Sequence, residues 1–371
     1  MLSEIRITNV RNITSASVHF GTKFNIFFGE NGSGKTSVIE SVYLLATAKS
    51  FRSTLVRKII NENNHSLTVF GRIHGTTDTE LINIGIEKTL DANTIRINGN
   101  SVKLLSELAE CLPVLVIEQD SHKLLESGPQ WRRKFVDWGL FHVKRDFTSI
   151  WSDYRQSLKQ RNALLIQGAT SDVIQSWTEG LVALGETYSL MREEYVKILS
   201  PYFINHVALL LGEDDYCISY RRGWPKDISL KHCMAIQLEK DRASCRTNYG
   251  PHRADLLVKK NGKDVRDFVS RGQQKLLVYA LNLAQVSLLK DLQNKETMLL
   301  LDDLGSELDL THSSKLLALL SQSFGQVCIT TANLETIPIA GMEDVKLFHV
   351  KQGLIVESSI EEINKLSTNN D

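Results

Sequence analysis

The chain has 371 residues, 42% apolar and 23% charged, with Lys plus Arg and Asp plus Glu both at 43. That composition suits a globular protein of one large domain or two, and zero net charge leaves any nucleic-acid partner to local basic patches. The five cysteines are odd in number and never in C-x-x-C spacing, which argues against a disulfide framework and a zinc site. No apolar run reaches the roughly 18 to 20 residues of a membrane span, and Met1–Arg6 lacks a signal-peptide core, so a cytoplasmic protein without a membrane partner is expected.

In chain order, Ile5–Val10, Ala16–Phe20 and Phe24–Phe28 read as short strands. A glycine-rich turn follows, and then a helix with Val38, Ile39, Val42 and Leu45 on helical spacing. Leu67–Ile73, Leu81–Ile86 and Thr94–Ile97 alternate as antiparallel strands, and Pro113–Ile117 is a further apolar strand. From Gly128-Pro129, a proline-led helix start, the pattern turns helical. Trp131, Phe135 and Trp138 recur at i, i+4, i+7. Strand character returns at Arg253–Lys259, followed by a helix from Gly272 to near Leu289 and the strands Met298–Leu301, Gln326–Thr331 and Val345–Val350. The expected organisation is a head in two parts, residues 1–125 and 246–371, interrupted by a mainly helical lobe over 126–245.

Gly29-Glu30-Asn31-Gly32-Ser33-Gly34-Lys35-Thr36 matches G-x-x-x-x-G-K-[ST] between a strand and a helix, the context such a loop requires. Glycines let backbone N–H groups turn toward phosphate, and the helix N-terminus adds partial positive charge. Lys35 can reach β- and γ-phosphates and the Thr36 hydroxyl can ligate Mg²⁺, so ATP and Mg²⁺ are the expected cofactors. The strand Met298–Leu301 ends in Asp302 and Asp303. Asp302 is placed to hold Mg²⁺ through water, and Asp303 to orient or deprotonate an attacking water, with Lys35 as the other catalytic candidate. Ser270, Gly272 and Gln273 open a helix as S-x-G-Q, a second phosphate-binding surface or a plain helix cap. Ser306–Asp309 fits a D-loop. Gln119, at a strand end, is a candidate metal contact, and Thr331 is a candidate γ-phosphate contact at the position where ABC transporters carry a switch histidine.

Together these motifs resemble the RecF family of bacterial DNA-repair ATPases, relatives of the SMC proteins. Further stretches carry the resemblance: Ile7–Asn12, Ser50–Arg52, Gly128–Gly139, Leu158–Leu165, Thr247–Asp255 and Ser270–Gln273. Glu118-Gln119-Asp120 departs from it, since Pro-Glu often stands there in the family. The resemblance implies an α/β fold, an ABC-type P-loop ATPase head with an inserted mainly helical lobe. It also implies a weak ATPase, an ATP-dependent homodimer, binding to single-stranded or gapped DNA, and cooperation with RecO and RecR in loading RecA and supporting the SOS response.

Two basic segments are candidate DNA contacts. One holds Arg132, Arg133, Lys134, Lys144, Arg145, Arg155, Lys159 and Arg161, and the other is the acid-free run Lys49–Lys58. Arg11, Asn12 and Arg52 are candidates near the nucleotide. The rival readings are an ABC-type regulatory subunit acting through protein partners without direct DNA contact, a transporter subunit, and a small-molecule kinase.

Overall fold

The computed structural model describes residues 1–75, 81–102, 105–339 and 342–359, so the polar tail lies outside it. The chain begins with strands β1 (Leu2–Val10), β2 (Ile13–His19) and β3 (Phe24–Phe28), then helix α1 (Lys35–Thr47). Strands β4 (Ser66–His74), β5 (Leu81–Thr89), β6 (Asn93–Ile97) and β7 (Asn100–Ser101) lead to α2 (Leu105–Cys111) and β8 (Val114–Ile117). The helices α3 (Lys123–Glu126), α4 (Pro129–Val143), α5 (Phe147–Ile166) and α6 (Ser171–Leu211) precede β9 (Tyr216–Arg221). Next come α7 (Leu230–Ile236), α8 (Leu238–Ser244), β10 (Asp255–Lys260), β11 (Lys263–Asp264) and α9 (Arg271–Gln293). The chain continues through β12 (Met298–Leu301), α10 (Leu304–Glu307), α11 (Leu310–Ser323), β13 (Val327–Thr331), β14 (Val345–Lys351) and β15 (Leu354–Ser358).

Two compact units result, Met1–Ser121 with Asn294–Asp371, and His122–Gln293. The second unit therefore runs past the border expected at residue 245. The reason is pairing: β10 lies antiparallel to β9, and α9 packs along α6, so both stay with the helical elements.

In the first unit one sheet is antiparallel, in the order β2-β1-β4-β5-β6-β7. The other has the order β15-β14-β3-β13-β12-β8, parallel except for the β14–β15 hairpin. Helix α1 is buried on nearly every side, its apolar residues running from Val38 and Ile39 to Leu44, Leu45 and Ala46. It joins a core with Ile5, Ile7, Val69 and Ile84 of the first sheet and Phe27, Leu300, Cys328 and Phe348 of the second. Phe27 and Phe348 stack across neighbouring strands at 4.8 Å. The parallel sheet places the carboxyl ends of β3, β13, β12 and β8 side by side, the edge where open α/β sheets bind ligands.

In the second unit α6 runs 41 residues, about 60 Å at 1.5 Å per residue. It continues through Pro201, where buried Tyr195, Val196, Leu199 and Phe203 tie it to its surroundings. Its sheet is small, β11-β10-β9. Among the described residues no helix is long and apolar enough to cross a membrane, and Cys217, Cys233, Cys245 and Cys328 are free thiols.

Candidate nucleotide site

The phosphate loop spans the gap between β3 and α1. Gly29, Gly32 and Gly34 have φ of 148°, 80° and 120°, a region open to glycine and strained for other residues. Gly29 is also pinned by space: a Cβ there would stand 2.2 Å from the carbonyl oxygen of Val350. The β14–β15 turn braces the loop from the same side, its Gly353 N–H donating to the Ser33 carbonyl at 2.7 Å. Lys35 Nζ donates to the carbonyls of Gly29 at 2.7 Å and Glu30 at 2.9 Å, so the ammonium lies folded under the loop. Burial pushes its pKa down, against the pull of Asp303 and Asp302. The Ser33 hydroxyl is buried without a partner, Asn31 lines the cleft, and α1 has no acid in its first turn to neutralise its positive end.

Asp302 follows β12 and is 9% exposed. One of its oxygens, Oδ1, accepts from Thr36 Oγ1 at 2.9 Å and from Thr330 Oγ1 at 2.7 Å. Burial raises the pKa of this carboxyl, and the two hydroxyls oppose the rise. A carboxylate and a hydroxyl at this spacing are hard oxygen donors of the kind Mg²⁺ takes. Asp303 adopts a left-handed backbone with φ 57°. Its N–H donates to Thr330 Oγ1 at 2.8 Å, and its Oδ2 accepts from Gln119 Nε2 at 3.0 Å and Ser306 Oγ at 2.7 Å. Gln119 opens a tight turn immediately after β8. Lys35, Thr36, Gln119, Asp302 and Asp303 thus meet in one polar cleft of about 630 Å³.

The switch position needs correction. Thr330 lines this cleft, whereas Thr331 turns away and donates to the Asn333 carbonyl at 2.8 Å. Successive strand residues face opposite sides, so only one of the two threonines can face the nucleotide. Arg11 and Arg52 line the cleft, and both pair with Glu40 of α1, a residue the sequence reading missed. Arg11 reaches the two carboxylate oxygens at 2.9 and 2.8 Å, Arg52 stands at 3.8 Å, and Glu40 is fully buried. Two guanidiniums on one carboxylate leave the wall positive. Asn12 braces the loop, donating to the Gly32 carbonyl at 3.1 Å and accepting from Ser37 Oγ at 3.0 Å.

In the second unit Ser270 precedes α9 and forms a capping box with Gln273. The Gln273 N–H donates to Ser270 Oγ at 3.3 Å, and Gln273 Oε1 accepts from the Ser270 N–H at 3.2 Å. Ser270, Arg271 and Gly272 are exposed, so this helix end is open to a ligand. Asp309 caps α11 by accepting from the His312 N–H at 2.9 Å.

The first basic segment also needs correction. Arg132 is paired with buried Asp255 at 2.7 Å and Arg161 with buried Asp241 at 2.8 Å, and both arginines are sealed from solvent. Neither can meet a DNA phosphate. Lys134, Lys144, Arg145, Arg155 and Lys159 remain exposed.

The family model of the RecF/RecN/SMC N-terminal domain matches residues 1–356. The DNA replication and repair protein RecF of Shewanella woodyi is 38% identical over 95% of this chain and 97% of its own length. The chain belongs to the RecF family. RecF of Stutzerimonas stutzeri is likewise 38% identical, over 96% of this chain and 97% of that protein. In fold the chain is similar to the recombination mediator protein RecF-ATPrS of the RecFOR pathway, with a TM-score of 0.86 at 24% identity over 97% and 98% of the two chains. The Smc head domain of Pyrococcus furiosus matches with a TM-score of 0.59 at 15% identity over 100% and 99%. The fold is the ABC-type ATPase head shared by RecF and SMC proteins.

Proposed function

We propose that this RecF family member is an ATP-dependent DNA-binding protein of replication and recombinational repair, in which ATP joins two copies and hydrolysis releases them. One observation carries the reading: Thr36 and Thr330 converge on a single oxygen of Asp302 beside a braced phosphate loop. Thr36 and Asp302 would hold Mg²⁺, with Gln119 beside them. Bound Mg²⁺ neutralises charge on the β- and γ-phosphates. Lys35, freed from its two carbonyls, reaches the same phosphates, and Glu30–Gly34 wrap them with backbone N–H groups. Asp303, held by Gln119 and Ser306, orients the attacking water and takes its proton. An aspartate reaches less far than the glutamate common in ABC transporters, so turnover is weak and suits a switch.

Ser270, Gly272 and Gln273 of one copy contact the ATP held by the other, which makes the nucleotide part of the interface. The DNA is single-stranded or gapped, and RecO and RecR are the partners with which the protein helps load RecA and supports the SOS response. The support is the RecF identity of relatives that match 95% and 96% of the chain. The second reading, a regulatory subunit without DNA contact, draws on the zero net charge and on the burial of Arg132 and Arg161. Sedimentation with and without ATP, followed by binding to gapped DNA with ATP, tests both. A monomer at saturating ATP removes the first reading, and a dimer that ignores DNA supports the second.

A further inference from the structure

We infer that the second unit carries a site for a single-stranded nucleic-acid backbone, in the open cleft between the Arg221–Lys226 segment and the Arg246–Arg253 loop. The inference rests on the DNA-binding reading above and names the surface that reading lacks. The cleft has a volume of about 900 Å³. Arg221, Arg222, Lys226, Lys240, Arg246 and Arg253 line it together with Trp224 and Tyr249, and no acid does.

Two acids of this region, Asp255 and Asp241, are buried and already paired. Asp255 holds Arg132 at 2.7 Å and Arg221 at 3.4 Å. Asp241 holds Arg161 at 2.8 Å and accepts from the Asn248 N–H at 3.0 Å. Among the described residues Lys226, Lys240, Arg246 and Arg253 have no ion-pair partner. Arg222 donates to the Pro225 and Lys226 carbonyls and so closes its own turn. Its Nε–H and the indole N–H of Trp224, which is 7% exposed, are buried donors without acceptors. A cleft lined by cations and by no acid calls for a ligand that offers acceptors and negative charge.

The walls are held firmly. The Gly250 N–H donates to the Gly223 carbonyl at 3.2 Å, and a Cβ on Gly223 would stand 2.0 Å from the Gly250 oxygen. The His252 ring sits between Tyr154 Oη at 2.7 Å and the Thr247 carbonyl at 2.9 Å. Thr247 is fixed by Arg161 at 2.7 Å and by Asn162, which takes both its N–H and its hydroxyl at 2.8 Å. The loop is thus ordered before any ligand arrives, which lowers the cost of binding. Charge spread along an open cleft fits successive phosphates better than a single carboxylate. A half-exposed tyrosine among cations is the stacking platform of single-strand binders.

The test is anisotropy of a labelled oligo-dT with the full chain and ATP over a series of salt concentrations. Lys240→Ala and Arg246→Ala remove exposed, unpaired charges, and matched melting temperatures check folding. Each should lower the salt slope by about 0.7, the single-strand value per phosphate, with Arg246→Lys restoring most of it. Tyr249→Ala should weaken binding about tenfold through lost stacking, and Lys197→Ala on α6, outside the cleft, should change nothing. Wild-type slope and affinity in Lys240→Ala and Arg246→Ala would overturn the inference, place DNA elsewhere, and leave the cleft to an acidic protein segment. If the wild-type chain binds no DNA with ATP, the DNA-binding reading itself falls as well.

Discussion

To hold Mg²⁺ as proposed, Asp302 has to be an anion in a place that resists anions. Burial raises its pKa, and the Thr36 and Thr330 hydroxyls oppose the rise. In the proposed role a metal would take the ionised form, so nucleotide–Mg²⁺ affinity should be full at high pH and fall as the proton returns, by about tenfold per pH unit below that pKa. The fall should therefore begin at a higher pH than an ordinary carboxylate near 3.9 would give. The empty protein shows the opposite sign. Its folded state keeps this proton longer than the unfolded chain does, so the group's stability contribution is complete below the unfolded pKa and is lost as pH rises through the folded one. Titrating a fluorescent ATP analogue with Mg²⁺ across acidic pH, with folding followed by circular dichroism, measures the first effect. A midpoint at or below the ordinary value would contradict it, and Asp302→Asn should abolish the pH dependence along with most of the affinity.

At the level of elements, the start of α9 has two possible jobs, which substitution can separate. Ser270 caps the helix, and losing the cap to alanine costs about 1 kcal/mol. Aspartate caps equally well but sets a negative charge where a phosphate would arrive. Ser270→Asp should keep the melting temperature of the wild-type chain and lose ATP-dependent dimerisation, whereas Ser270→Ala should lose some of both. A Ser270→Asp chain that dimerises normally in ATP would reduce Ser270 to a cap. The elements of the first unit were largely legible, because strand alternation and the Gly29–Thr36 spacing are local signals. What stayed hidden is what distant residues decide. Arg132 and Arg161 look like solvated cations until Asp255 and Asp241 arrive from 123 and 80 residues away. Glu40 carries no signal of its own in the sequence, and only the approach of Arg11 and Arg52 gives it a place in the site. Thr330 and Thr331 are interchangeable as letters, and only the facing of β13 separates them. Of the β14–β15 hairpin, whose turn braces the phosphate loop, the sequence pattern marks only the first strand.

For the whole molecule, the proposed cycle makes ATP the joint between two chains and Asp303 the residue that opens it. Asp303 is fixed by Gln119, Ser306 and its own N–H on Thr330, so the side chain can change chemistry while the backbone keeps its place. Asp303→Asn keeps an acceptor oxygen and loses the base. Turnover should fall by about 10²-fold or more, the ordinary contribution of a positioned base, while ATP affinity stays near that of the wild-type chain. The dimer should then outlive its wild-type counterpart. After dilution into buffer without nucleotide, sedimentation at successive times should show the variant still paired when the wild-type chain has returned to monomer. Equal lifetimes with reduced turnover would uncouple hydrolysis from release. Undiminished turnover would move the base to another residue of the same cleft, and Glu118 and Asp120, which flank Gln119 on its wall, are the carboxylates next in line.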